Sequence, residues 1–128
     1  MLGGGMRQAG VIAAAALHAI EADWHGIMAM DHQRARHFAE AVSTIPGFHS
    51  DPLSVKTNIV YAEVDTRIID MDVVAATLKA QGVLITAAYA WGACEDEHHE
   101  RVRFVFHRDV CDASAEAAAG MLRAAALV

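Results

Sequence analysis

The sequence predicts a small α/β (α+β) sandwich: a short three-stranded sheet covered by helices and preceded by two long helices. Three observations carry this. Thr57 to Val64 (TNIVYAEV) is rich in β-branched residues, as strands are. Arg101 to His107 (RVRFVFH) alternates, with Val102, Phe104 and Phe106 facing one way and Arg101, Arg103 and Val105 the other. Ile27, Met28, Ala35, Phe38, Val42 and Ile45 recur at threes, fours and a seven, the spacing of a helix with one buried face.

The elements follow in order. A glycine-rich turn, Gly3-Gly4-Gly5, runs into a helix over Met6 to Asp23 that is apolar on nearly every side. Such a helix is buried by several neighbours, and a chain of 128 residues offers few, so this helix is surplus to the sandwich. A second helix runs from about Trp24 to Ser43, with Asp31, Gln33, Arg36 and Glu40 on its wet side, and Pro46-Gly47 ends it. Thr57 to Val64 is the first strand. Asp70 caps a short helix through Ala80, with Val74 and Leu78 inward and Gly82 as its stop. Val83 to Thr86 is predicted as the second strand and Arg101 to His107 as the third. The last helix starts near Asp112 or Ser114.

Composition narrows the function. Ten Lys+Arg against 16 Asp+Glu give a net charge of −6, which argues against nucleic acid as a main partner. Apolar residues make up 55% and charged residues 20%, which excludes a disordered chain. The most apolar stretch, Ala9 to Ile20, is too short for the roughly 20 residues of a membrane-spanning helix. Cys94 and Cys111 form neither a metal motif nor a disulfide framework, so a reducing, cytoplasmic setting is expected.

Few residues invite chemistry. Gly3-Gly4-Gly5-Met6-Arg7-Gln8 ahead of a helix is either a plain turn or an anion site, with Arg7 as a forked donor for phosphate or carboxylate. It lacks the Gly-Lys-Ser/Thr ending of a P-loop. Arg103, on a strand with aromatic neighbours, is either solvent-facing or held by an anionic partner. His98-His99 are adjacent and chelate poorly, and His32 and His37 are five apart, so no metal site is predicted. Neither Lys56 nor Lys79 has the surroundings of a Schiff-base lysine, and no catalytic nucleophile is predicted.

Four stretches in order carry a family resemblance. Met1 to Gly10 (MLGGGMRQAG) resembles the segment that follows the cofactor lysine in threonine aldolases. Asp31-His32-Gln33-Arg34-Ala35-Arg36 resembles that family's Asp-His…Ala-Arg helix, and Thr57-Asn58-Ile59-Val60 its Thr-Asn strand. Val102 to Val110 (VRFVFHRDV) resembles its Arg-x-Val-Thr-His-x-Asp-Val strand. The resemblance covers nearly the whole chain.

It implies the small C-terminal domain of a fold-type I pyridoxal-phosphate enzyme, a lyase that splits threonine or allo-threonine into glycine and acetaldehyde. Residues 1–45 are then a helical segment bridging to a large cofactor domain, and 46–128 the small α/β domain. The implied partners are that large domain or further copies in an oligomer, and a small β-hydroxy amino acid. Arg103 matches the arginine that grips the substrate carboxylate, and Arg7 an arginine serving the cofactor phosphate. The cofactor lysine, the aspartate of the pyridine nitrogen and the ring-stacking histidine have no counterpart here. The chain alone is therefore expected to be inactive: a fragment, one half of a split aldolase, or a non-catalytic binding domain. Two departures stand out. Phe106 replaces the family's threonine, a hydroxyl expected beside the carboxylate site, and Cys94 to Glu100 is unusually acidic and histidine-rich.

Overall fold

The computed structural model describes residues 5, 7–85 and 98–127. The element order is α1 (Ala9–Glu21), α2 (Trp24–Val42), β1 (Phe48–His49), β2 (Ile59–Asp65), α3 (Met71–Ala80), β3 (His99–Val105) and α4 (Asp112–Ala126). The sheet is antiparallel in the order β1-β2-β3.

Alternation along β2 and β3 sorts their side chains. Val60, Ala62, Val64 and Val102 are buried, while Tyr61, Arg103 and Val105 are exposed. α2 and α4 pack together, α3 packs on α4, and α2 packs on β2. The core lies between these helices and one sheet face, around Val42, Val74, Leu78 and Leu122. Phe38 of α2 meets Phe104 and Phe106 with ring centroids 4.9 and 5.2 Å apart, in tilted contacts that favour aromatic pairs.

Local chemistry sets the boundaries. The Asp23 carboxylate accepts from Gly26 N–H at 3.0 Å and starts α2. α2 stops at Val42, ahead of Pro46-Gly47, because the Ser43 and Thr44 hydroxyls donate to the carbonyls of Glu40 and Ala41 at 2.8 and 2.7 Å. Gly47, at φ +84°, then turns the chain into β1. Asp70 caps α3 through Asp72 and Val73 N–H as expected. Gly82, also at φ +84°, ends it: Val83 N–H reaches Leu78 C=O at 2.9 Å and Gly82 N–H reaches Lys79 C=O at 3.1 Å.

One strand differs from expectation. Val83 to Ile85 joins no ladder, and Thr86 lies outside the described residues. The third strand is instead Phe48–His49, at the other edge of the sheet. Val83 and Ile85 pack against the core while Leu84 is 80% exposed, but strand propensity and a buried face make no strand without a neighbouring strand to pair with.

α1 is unlike the rest. None of its residues is buried, and Val11, Ile12, Leu17 and Ile20 are 55–73% exposed. Among the described residues no helix is long and apolar enough to cross a membrane.

Candidate functional site

The helices cover one face of the sheet, and Arg103 stands on the other. It lies in the middle of β3, directly opposite Tyr61 of β2, and both side chains are exposed. Opposite residues on an antiparallel pair hold their Cβ atoms roughly 4.5–5.5 Å apart, so the two side chains leave the sheet side by side. One step along the strands, Arg101 donates to Glu63 at 2.8 Å. Ile59 and Val105 form the next pair on the same face. Arg103 thus lies between the Ile59–Val105 pair and the Arg101–Glu63 ion pair, and its guanidinium fork has the chemistry to grip a planar anion such as a carboxylate.

Arg7 is exposed and precedes α1. Gln8, between them, takes a left-handed conformation (φ 61°) and provides no side-chain cap. Arg7 and Arg103 belong to separate elements, and no described cavity is lined by both. Of the glycine run, only Gly5 lies within the described residues.

Phe106 is 5% exposed and lies in the core against Phe38. It therefore does not stand beside Arg103, contrary to the expectation drawn from the missing hydroxyl. A phenylalanine fits this position because its neighbours are aromatic. The stretch from Cys94 to Glu97 is outside the described residues.

The motifs flanking the sheet prove to be fasteners. Asn58 donates its side-chain amide to Phe106 C=O at 2.5 Å, while Phe106 N–H returns to Asn58 C=O at 2.9 Å. This double bond pair closes β2 on β3 at the end nearest Val105. The His32 ring bonds Val55 C=O at 2.9 Å, tying α2 to the segment before β2. Arg34 bridges Asp31 at 3.1 Å and Asp112 at 2.5 Å, joining α2 to the start of α4. The Asp112 carboxylate, and then Asp31, raise the Arg34 pKa further. These roles depend on partners 23 to 78 residues away, so spacing alone could not show them. Tyr61, by contrast, could have been singled out from the alternation in TNIVYAEV.

Pyridoxal phosphate requires a lysine amine in a desolvated site and donors around its phosphate. Arg7 has the chemistry for the second task. Lys56, just before β2, and Lys79, in the last turn of α3, are both exposed, so the described residues do not provide the first. The Cys111 thiol is exposed, and a 3.1 Å contact with the Ser114 hydroxyl lowers its pKa.

Comparison with known proteins gives the fold and the family. In structure the chain is similar to the aminotransferase TlmJ from Streptoalloteichus hindustanus: TM-score 0.59, 19% identity, 78% of this chain and 32% of that one. The class is therefore the aminotransferase-like fold. The beta-eliminating lyase family matches residues 1–67, and the chain belongs to that family. Two relatives come from Arabidopsis thaliana. A probable low-specificity L-threonine aldolase 2 is 31% identical over 90% of this chain and 30% of its own length. A low-specificity L-threonine aldolase 1 is 28% identical over 85% of this chain and 28% of its own. The chain thus spans about a third of the length of these relatives.

Proposed function

We propose that this chain supplies the substrate-carboxylate portion of a threonine-aldolase-like lyase. In that assembly a β-hydroxy amino acid, threonine or allo-threonine, undergoes retro-aldol cleavage to glycine and acetaldehyde. The observation that carries the reading is Arg103: a guanidinium on the helix-free face of β3, opposite Tyr61, in a stretch (VRFVFHRDV) that resembles the family's except at Phe106. A two-pronged bond from Arg103 fixes the amino acid in one orientation, so that the bond to be broken is held in line for reaction.

Pyridoxal phosphate, when bound, supplies the electron sink for this chemistry. Arg7 serves its phosphate. Its lysine belongs to a further portion of the assembly, since Lys56 and Lys79 are surface residues. Alone, the 128 residues bind the cofactor poorly and do not turn over. Residues 1–45 bridge to that lysine-bearing portion, supported by the exposed apolar side chains of α1. A lysine-bearing domain, on the same chain or a separate one, and an oligomer of such units are the expected partners, in a cytoplasmic setting.

The test is complementation. The purified chain, given pyridoxal phosphate and threonine, is assayed for acetaldehyde with and without the lysine-bearing segment of an Arabidopsis relative. Activity is expected only in the mixture. Turnover by the chain alone overturns the proposed division of labour. Tight association without activity marks a non-catalytic binding domain instead, a reading that the exposed face of α1 also favours.

A further inference from the structure

We propose that the helix-free face of the sheet carries a two-histidine site for a borderline divalent transition ion, Zn²⁺ being the representative case. The site is formed by His49 of β1 and His99 of β3. These strands flank β2, where His49 is opposite Glu63 and His99 opposite Asp65. All four residues therefore project from one face. The two imidazoles approach each other across β2, with ring centroids 5.9 Å apart and planes inclined by 56°.

That separation suits a shared ion. Two imidazoles bound to one zinc through bonds of about 2.0–2.1 Å hold their ring centres roughly 5–6 Å apart. Imidazole nitrogen is also the donor that zinc, nickel and copper prefer over oxygen-only sites. Two carboxylates on this face are already engaged: Glu63 is paired with Arg101 at 2.8 Å and Asp65 with Arg67 at 2.7 Å. Beside His49 the surface opens into a concavity of about 520 Å³, bordered also by Asp51 and Tyr61. It gives solvent access on the His49 side of the pair.

Among the described residues no group of three or more His, Cys, Asp or Glu side chains surrounds a common point. The site is therefore a two-ligand clamp, open to solvent, and not a closed structural centre. His98 lies in the turn before β3, where its carbonyl accepts from the Thr66 N–H and hydroxyl at 2.9 and 3.0 Å, and it is not part of the site.

The full chain is titrated with zinc chloride by calorimetry, alongside His49→Gln, His99→Gln and His98→Gln, with circular dichroism confirming that each variant is folded. We expect one ion per chain. His49→Gln and His99→Gln each weaken binding at least tenfold, and the double variant is no weaker than either single, because one lost ligand already opens the clamp. His98→Gln binds as the parent does. In the histidine ring spectrum, zinc moves the signals of His49 and His99 together. Absence of saturable binding overturns the proposal. So does binding that survives His49→Gln but fails in His99→Gln or His98→Gln, which assigns the ion to the acidic, histidine-rich stretch before β3. Should His49→Gln fail to fold, His49→Asn replaces it with the same expectations.

Discussion

At the scale of single residues, two positions make measurable demands. The Asp65 carboxylate is nearly buried and accepts from Arg67 through Nε at 2.9 Å and a terminal nitrogen at 2.7 Å. These bonds hold its pKa well below the usual carboxylate range, against the opposing pull of desolvation. A depressed folded-state pKa contributes stability that is fully present above the unfolded value, about 4, and is lost as the pH falls from there through the folded value. Asp65→Asn therefore flattens the acid limb of stability. The urea midpoint of the variant should fall less between pH 7 and pH 3 than that of the parent, and an equal fall in both would contradict this. Gly47 is the second position. At φ +84°, an added Cβ would lie 2.7 Å from Ile69 Cγ1, a buried side chain. Gly47→Ala is expected to destabilise by more than about 1 kcal/mol in chemical denaturation.

At the scale of elements, capping and core packing separate cleanly. Asp70 accepts from two N–H groups at the start of α3, and Asp70→Ala should cost about 1 kcal/mol. Leu122 anchors α4 in the core at 1% exposure, and Leu122→Ala should cost about 2–5 kcal/mol, measured the same way. This is also the scale at which the sequence was most legible. The Asp70 cap, the Gly82 stop, the two-faced character of β3 and the helix from Asp112 all follow from local chemistry, and the structure has them. β1 was not legible, because two residues are too few for a period to register. Val83 to Ile85 misled for the opposite reason: β-branched content marks strand propensity, but whether a partner edge is present is decided by the rest of the fold. The fasteners His32, Asn58 and Arg34 were visible only as family-like motifs, since their partners are distant in sequence. Arg103 was legible as a residue on the face opposite Phe104 and Phe106, and Tyr61 as its neighbour followed only from the register.

At the scale of the whole molecule, the two sides differ in kind. One holds a closed core under three helices. The other presents Arg103, Tyr61 and the Arg101–Glu63 pair, with the exposed α1 ahead of them in sequence. Val11, Ile12, Leu17 and Ile20 are exposed, and the proposed bridge to a lysine-bearing portion rests on them. Val11→Asp together with Ile20→Asp should leave the urea midpoint of the core nearly unchanged, because no α1 residue is buried, while abolishing association with the lysine-bearing segment in a pull-down.

The role of Arg103 is tested most directly by steady-state kinetics of the complemented enzyme carrying Arg103→Lys, with threonine as substrate. Lysine keeps the charge and loses the fork. The account predicts that KM for threonine rises at least tenfold, with the cofactor absorbance and the association of the two portions unchanged. A KM equal to that of the parent would show that the carboxylate is held elsewhere.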